Sequence, residues 1–372
     1  MTDNSFGTIF RITSFGESHG RIVGVVIDGV PPGLNIDRNF IQNELNKRRP
    51  GVSNLSSSRM EPDEFEILSG VFNNSTTGAP LSIIVRNEDV KSFHYEKIKD
   101  IFRPSHADYP AYVKYKGFAD YRGSGRFSGR ITVGYVIAGA LAKLILKDYG
   151  IIPFAYTKSI GNVWDNQQYS CENINKLIAL RDSSPVNALN LVLSNEMINE
   201  IETVKKENDS IGGTIKCIIN NVPPGIGSPI FGSLESNISR AMFSIPAIKG
   251  IEFGIGFKAA SMRGSEHNDP WIIYQNKIIT SKNDAGGIIG GLSTGMPIEF
   301  TVVVKPTASI GKLQKTINIK VMKEVDLKLE GRHDPCIVPR AIVIVEAMAA
   351  IVILDELLKS GKINTSNCKE VF

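Results

Sequence analysis

Five short segments combine residue types that bind anions and carry protons. Gly16-Glu17-Ser18-His19-Gly20 sets a serine and a histidine among glycines. Glycine lets the backbone approach a ligand closely, and an imidazole can deliver a proton near neutral pH. Arg103-Pro104-Ser105-His106-Ala107-Asp108 pairs a second histidine with an arginine, and Tyr121 to Arg130 reads YRGSGRFSGR ahead of an apolar run from Thr132. Guanidinium groups take phosphate and carboxylate in bidentate fashion, and a Gly/Ser-rich lead into a helix aims N–H groups at an anion. Lys305-Pro306-Thr307-Ala308-Ser309 closes a β-branched run, and Gly331-Arg332-His333-Asp334-Pro335 precedes a long apolar stretch. Asp334 beside His333 is a candidate acid–base pair.

Taken singly, each segment has a plainer reading. A loop histidine is more often a surface residue, and Ser18 next to His19 in sequence is not a hydrolase triad, which needs an orienting acid. An isolated RGSGR is more often a solvated basic loop. Two arginine clusters, each with a proton donor or hydroxyls, together point to a small, multiply anionic, phosphorylated substrate, with His19 and His106 as proton carriers. There is no GxGxxG turn after a strand and no GxxxxGK[ST] loop, so the residues by themselves name no nucleotide cofactor.

The elements that must hold these segments are legible in part. Val23 to Ile27 reads as a strand halted by Val30-Pro31-Pro32-Gly33. A helix follows, with Asp37 as cap, Phe40, Ile41 and Leu45 on its apolar face and Pro50-Gly51 after its end. The phrase recurs: the alternating stretch Thr214 to Asn221 leads into Val222-Pro223-Pro224-Gly225 and a helical pattern from about Leu234 to Phe243. This predicts an internal duplication, although one shared tetrapeptide also fits two independent strand–turn–helix units. Leu81 to Val85 and Ile298 to Val304 read as strands, Phe102 to Arg130 as a basic loop, and Thr132 to Tyr149 as a helix. Strands and helices interleave without the regular alternation of a doubly wound sheet, and no linker divides the chain, so residues 1–372 are expected to form a single domain.

The 372 residues are 42% hydrophobic and 22% charged, as in ordinary globular proteins. A net charge of +4 argues against a nucleic-acid binder reliant on many phosphate contacts. Cys171, Cys217, Cys336 and Cys368 are scattered with no CxxC pair, so neither a disulfide framework nor a metal site is expected, and a reducing cytoplasm fits. Met1 to Phe15 lacks the features of a secretion signal. Arg340 to Leu358 approaches the roughly 20 residues that span a bilayer. Glu346 and Asp355 interrupt it, and a charge in hydrocarbon costs at least ~2.5 kcal/mol, which favours a buried core helix and no membrane association.

The segments GESHGRIVGVVIDGVPPG, FRPSHADY, YRGSGRFSGR, AGGIIGGLSTG, KPTASI and GRHDPCIVPRA run in order from residue 16 to 341 and closely resemble the diagnostic segments of chorismate synthases. The resemblance implies an α/β (α+β) sandwich with antiparallel sheets in the core and helices outside, assembled as a homotetramer. It implies reduced FMN as cofactor, with NADPH as reductant in some members. The reaction it implies is loss of phosphate and a proton from 5-enolpyruvylshikimate 3-phosphate without net redox change.

Carried over by position, the resemblance makes His19 the acid for departing phosphate and His106 the group that protonates reduced flavin. Ser18 and Asp334 become the pair assisting proton removal. Flavin contacts map to Arg126, Phe127, Ser128, Pro246, Ala247, Gly290, Lys305, Pro306, Thr307, Ala308, Ser309 and Arg332, and the cationic shell for substrate or NADPH to Arg48, Arg49, Arg103 and Arg130. Three positions depart from the family pattern: Asn54 replaces a usual arginine, Phe127 a usual serine and Pro246 a usual asparagine. The alternatives are a non-catalytic phosphometabolite- or flavin-binding protein of the same fold and an NADPH-dependent flavin reductase.

Overall fold

The computed structural model describes residues 3–49, 51, 61–89, 93–169, 173–329 and 333–363. The first half runs β1 (Ser5–Phe6), β2 (Arg11–Gly16), β3 (Ile22–Asp28), α1 (Arg38–Arg48), β4 (Phe65–Ser69), the hairpin β5–β6 (Val71–Phe72, Ser75–Thr76), β7 (Leu81–Arg86), α2 (Phe93–Glu96), α3 (Asp108–Lys114) and α4 (Thr132–Lys147). The second half opens with β8 (Ile152–Ile160), β9 (Val163–Trp164), α5 (Ile174–Asp182), α6 (Leu191–Lys206), β10 (Gly213–Asn220), α7 (Leu234–Phe243) and β11 (Ile248–Phe253). It continues through α8 (Gly264–His267), the hairpins β12–β13 (Trp271–Tyr274, Lys277–Thr280) and β14–β15 (Ile288–Ile289, Leu292–Ser293), β16 (Ile298–Val304), the hairpin β17–β18 (Gln314–Asn318, Lys323–Leu327) and α9 (Val338–Lys359).

Two five-stranded antiparallel sheets result, ordered β1-β2-β3-β7-β4 and β9-β8-β10-β16-β11. The second order repeats the first in four strands, β8, β10, β16 and β11 standing as β2, β3, β7 and β4 do, while the edge strand β9 follows β8 in the chain where β1 precedes β2; this supports the duplication that the two VPPG phrases predict. In each half a strand leads through VPPG to a helix, an edge strand, a two-residue hairpin, a central strand and a long apolar helix. Asp37 caps α1 as expected, accepting from Phe40 N at 2.9 Å.

The α+β class is as expected, but the layering differs from the expected sheets inside and helices outside, and the reason lies in the composition of the helices. A helix apolar on every side must be enclosed, and 19 of the 22 residues of α9 are buried. It packs along α4, so these two helices lie between the sheets, α4 against β3 and α9 against β8 and β10. They approach closely at Gly139, where a Cβ would stand 2.3 Å from Ala347 Cβ. α5 occupies the outer face of the second sheet, where Leu177 joins Phe154, Tyr156 and Ile218 in a second apolar cluster. Gly129–Lys147 is long and apolar enough to cross a membrane by length and composition, yet 78% of its window is buried inside the protein.

The two acids of α9 are answered by partners. Glu346 meets Lys143 at 2.6 Å and Arg181 at 2.5 Å and accepts from Ala155 N at 2.9 Å, while Lys143 also reaches Glu44 at 2.5 Å. Asp355 accepts from Thr8, Ile9 and Phe10 N at 2.7–3.1 Å and so ties the β1–β2 turn to the helix. The basic stretch Phe102 to Arg130 is not wholly a loop, because it contains α3. Cys217 and Cys336 are buried free thiols; Cys171 and Cys368 lie outside the described residues.

Candidate active site

The β2–β3 turn presents Ser18 and His19, both buried. Its Glu17 and Gly20 carbonyls accept from Asn87 Nδ2 at 3.0 and 2.9 Å. The YRGSGR segment lies against this turn. Gly123 takes φ +55°, and a Cβ there would stand 2.1 Å from His19 Cδ2 and 2.9 Å from Ser18 Oγ, so no other residue type fits without displacing them. The Ser18 hydroxyl is buried with no hydrogen-bond partner among the described residues. Tyr95 meets the His19 ring edge-on with centroids 5.0 Å apart, and the Arg103 guanidinium lies 5.8 Å from the centroid of the same tyrosine.

Arg103 grips Asp108 with Nε at 2.8 Å and a terminal nitrogen at 2.7 Å, and reaches Ser124 Oγ at 3.2 Å. His106 Nδ1 is 2.7 Å from Asp108 Oδ1. Burial would raise the Asp108 carboxyl, but its bonds to Arg103 and His106 prevail and hold it well below the carboxylate range. Lys305 Nζ donates to Ser105 O at 2.8 Å, and Thr307 Oγ1 donates to Asp334 O at 3.0 Å. Arg340 donates to Asp334 Oδ2 at 2.6 Å and to the Arg48 carbonyl at 3.0 Å. Arg48 then meets Asp63 at 2.6 Å, Asp63 also pairs with Arg130, and Arg130 Nε donates to Asn87 Oδ1 at 2.8 Å. The chain of contacts thus returns to the His19 turn and closes a ring.

The ring brings together Ser18, His19, Arg48, Arg103, His106, Arg130, Lys305, Thr307 and Asp334. Other expected residues stand differently. Arg126 is turned toward Asn4 Oδ1 and the carbonyls of Ser14 and Gly16 at 3.0–3.1 Å, where it braces β2. Ser128 caps the turn before α4 by accepting from Arg130 N, and Phe127 packs near Tyr115 with centroids 6.4 Å apart. Ala247, at φ +75°, accepts from Lys305 N, which places Pro246 and Ala247 beside the Lys305–Ser309 segment. Gly290 occupies the β14–β15 turn, and a Cβ there would meet nothing within 4 Å. Arg49 faces a separate cleft of ≈ 530 Å³ shared with Lys47, Arg181 and Arg340. Arg332 and Asn54 lie outside the described residues.

Asp63, Asn87 and Arg340 join this ring of contacts although none is among the candidate residues; Arg340 lies within the GRHDPCIVPRA segment. Asp63 is fully buried at φ +54°, and a non-glycine residue in the left-handed region is uncommon and worth attention as a functional position. Asn87 directly follows β7 as Lys305 follows β16, so the strand-end logic that selects Lys305 would also have found it. Among the described residues no group of three or more His, Cys, Asp or Glu side chains is gathered to hold a metal ion.

A family model described as chorismate synthase matches residues 10–358. The chain belongs to the chorismate synthase family. A chorismate synthase of Korarchaeum cryptofilum is 50% identical over 360 residues, covering 97% of this chain and 99% of that protein. One from Pyrococcus abyssi is 48% identical, with 95% and 97% covered, and one from Dehalococcoides mccartyi is 47% identical, with 96% and 97% covered. A crystal structure of chorismate synthase matches with a TM-score of 0.74 at 29% identity, covering 95% of this chain and 93% of that one. Membership makes the chain a lyase.

Proposed function

We propose that the chain makes chorismate by 1,4-elimination of phosphate and a proton from 5-enolpyruvylshikimate 3-phosphate, with reduced FMN beside the substrate. The observation that carries this reading is the closed ring. Two histidines, Ser18 and Asp334 are linked through one chain of contacts to Arg48, Arg103, Arg130 and Lys305. A multiply anionic substrate suits such a shell, because ionised hydrogen bonds are about twice as strong as neutral ones.

His19 sits under Gly123 with its ring fixed by Tyr95, and delivers a proton to the phosphate oxygen as the allylic C–O bond breaks. Its neighbour Asp120, engaged by Arg122 at 2.9 Å, is held below its ordinary range against the opposing effect of burial. His106 donates Nδ1–H to the Asp108 carboxylate, which fixes the ring and leaves its other nitrogen to exchange a proton with a bound ligand. Asp334, kept in place by Arg340, acts in this reading with Ser18 to assist proton removal from the substrate ring. The residues fit a flavin: the unsatisfied Ser18 hydroxyl offers a polar contact, and Lys305–Ser309 with Ala247 supplies a wall that touches both halves of the ring. When bound, reduced FMN supplies transient electron density to the departing bond and ends unchanged.

The remaining parts of this reading are a single domain over residues 1–372, a cytoplasmic homotetramer, and NADPH as reductant at cations such as Arg49. Extensive packing of α4 on α9 joins the two halves, and the exposed Trp271, Ile273 and Ile278 on one side of β12–β13 offer an apolar face for another copy. The test is an anaerobic assay with reduced FMN that follows chorismate and phosphate, with His19→Ala and His106→Ala alongside. Equimolar products formed only with reduced flavin, and slowed in both variants, are expected. A folded, flavin-binding wild type that turns nothing over sinks the reading in favour of a non-catalytic binding protein.

A further inference from the structure

We propose that Asn87 is a positioning residue for proton delivery, setting the place of the His19 imidazole without touching substrate; this rests on the reading of His19 given above. The β2–β3 turn is short and closed on itself by Gly20 N donating to Glu17 O at 3.1 Å. Asn87 Nδ2 donates to Glu17 O at 3.0 Å and to Gly20 O at 2.9 Å, the two carbonyls that flank Ser18 and His19. Its Oδ1 accepts from Arg130 Nε at 2.8 Å, and its backbone N donates to Arg21 O at 3.1 Å.

A primary amide has two donor hydrogens and an acceptor oxygen, and here all are used. Its orientation is fixed by chemistry: the turn carbonyls only accept and the guanidinium only donates, so the flipped amide would oppose all three partners. Aspartate could satisfy Arg130 but not the turn, leucine neither, and glutamine carries the amide one methylene further. On the other side of the turn, Gly123 and Tyr95 confine the His19 ring itself. Asn87 therefore sets the height of the turn and Gly123 the ceiling above it. Because Arg130 continues to Asp63 and Arg48, one amide registers the proton donor against the cations expected to hold the leaving phosphate.

The test uses the full-length enzyme with reduced FMN and 5-enolpyruvylshikimate 3-phosphate. Asn87→Asp keeps the acceptor for Arg130 and loses both donations to the turn. Its kcat is expected to fall about 100-fold, the scale of a misplaced catalytic group, with KM changed by less than about threefold. The alkaline limb of its kcat/KM–pH profile, where His19 must stay protonated, is expected to move. Asn87→Ser, without added charge, should show the same loss and takes its place if the aspartate variant does not fold. A lowered Tm with wild-type kcat and an unmoved limb would make Asn87 merely structural and overturn the proposal. If His19→Ala is slow while Asn87→Asp turns over normally, the proposal alone fails; if His19→Ala is unimpaired, the reading of His19 fails and takes the proposal with it.

Discussion

Thr76 and Ser293 make the same four hydrogen bonds in the two halves of the molecule. Thr76 Oγ1 donates to Pro31 O at 2.5 Å and accepts from Leu34 N at 2.9 Å; Ser293 Oγ donates to Pro223 O at 2.5 Å and accepts from Ile226 N at 2.9 Å. Their backbones complete each set, Gly33 N to Thr76 O and Thr76 N to Leu34 O, then Gly225 N to Ser293 O and Ser293 N to Ile226 O. Each hydroxyl is the bolt that holds a VPPG turn to its hairpin. Thr76→Val and Ser293→Ala each leave a carbonyl and an N–H without that partner, at a cost of about 1–3 kcal/mol. Urea midpoints are expected to drop in both with the m-value unchanged; a loss in only one would show that the turns are not equivalent.

Gly123→Ala tests the fit over the catalytic turn. The added methyl would lie 2.4 Å from His19 Nε2 in a backbone conformation that alanine disfavours. Turnover is expected to fall at least about 100-fold with far-ultraviolet circular dichroism retained. Near-normal turnover would mean that the imidazole moves freely.

Acid stability should follow the buried carboxylates. Burial pushes the Glu346 carboxyl up, but Lys143 and Arg181 outweigh it and hold it down to about 2, against an ordinary 4.5. A depressed carboxyl contributes stability that is complete above its unfolded pKa and is lost as pH falls through its folded one. Stability is therefore expected to decline between about pH 4.5 and 2, with Asp63 and Asp108, also held below their ordinary range, adding to the same slope. Denaturation midpoints across that window check this; a flat profile contradicts it.

Arg340 is expected to matter through Asp334. Arg340→Gln removes the charge that holds the carboxylate, and kcat/KM is expected to drop by the equivalent of about 1.5–3 kcal/mol. Arg340→Lys should recover part of it, because charge survives while the two-pronged reach to Asp334 and the Arg48 carbonyl does not. Equal loss in both variants would point to shape and not charge.

Much of this was legible beforehand. Residues 234–243 and 298–304 form the expected helix and strand, because the apolar period and the flanking turns agree there. α3 was hidden: Tyr109, Tyr112 and Val113 are exposed, so no apolar stripe marks it. Asp63 was hidden for another reason, since it acts on arginines distant in sequence, and Asn87 carried only its place at a strand end. The duplication carried a second signal, Thr76-Thr77-Gly78-Ala79-Pro80 against Ser293-Thr294-Gly295-Met296-Pro297. Its spacing from VPPG differs between the halves because α8 and β12–β13 are inserted in the second.

The repeated order of strands also says why the candidate site residues gather in one place. The segment between β7 and α4 carries Asn87, Arg103, His106 and Arg130; its counterpart between β16 and α9 carries Lys305, Thr307 and Asp334, and the two meet where Lys305 reaches Ser105. The His19 turn has no second copy, because the matching β8–β10 connection is filled by β9, α5 and α6. The protein is in effect a pair of unlike twins fused at the Gly150 turn, working at their seam. A chain cut there would leave two fragments, each carrying only part of the tool set.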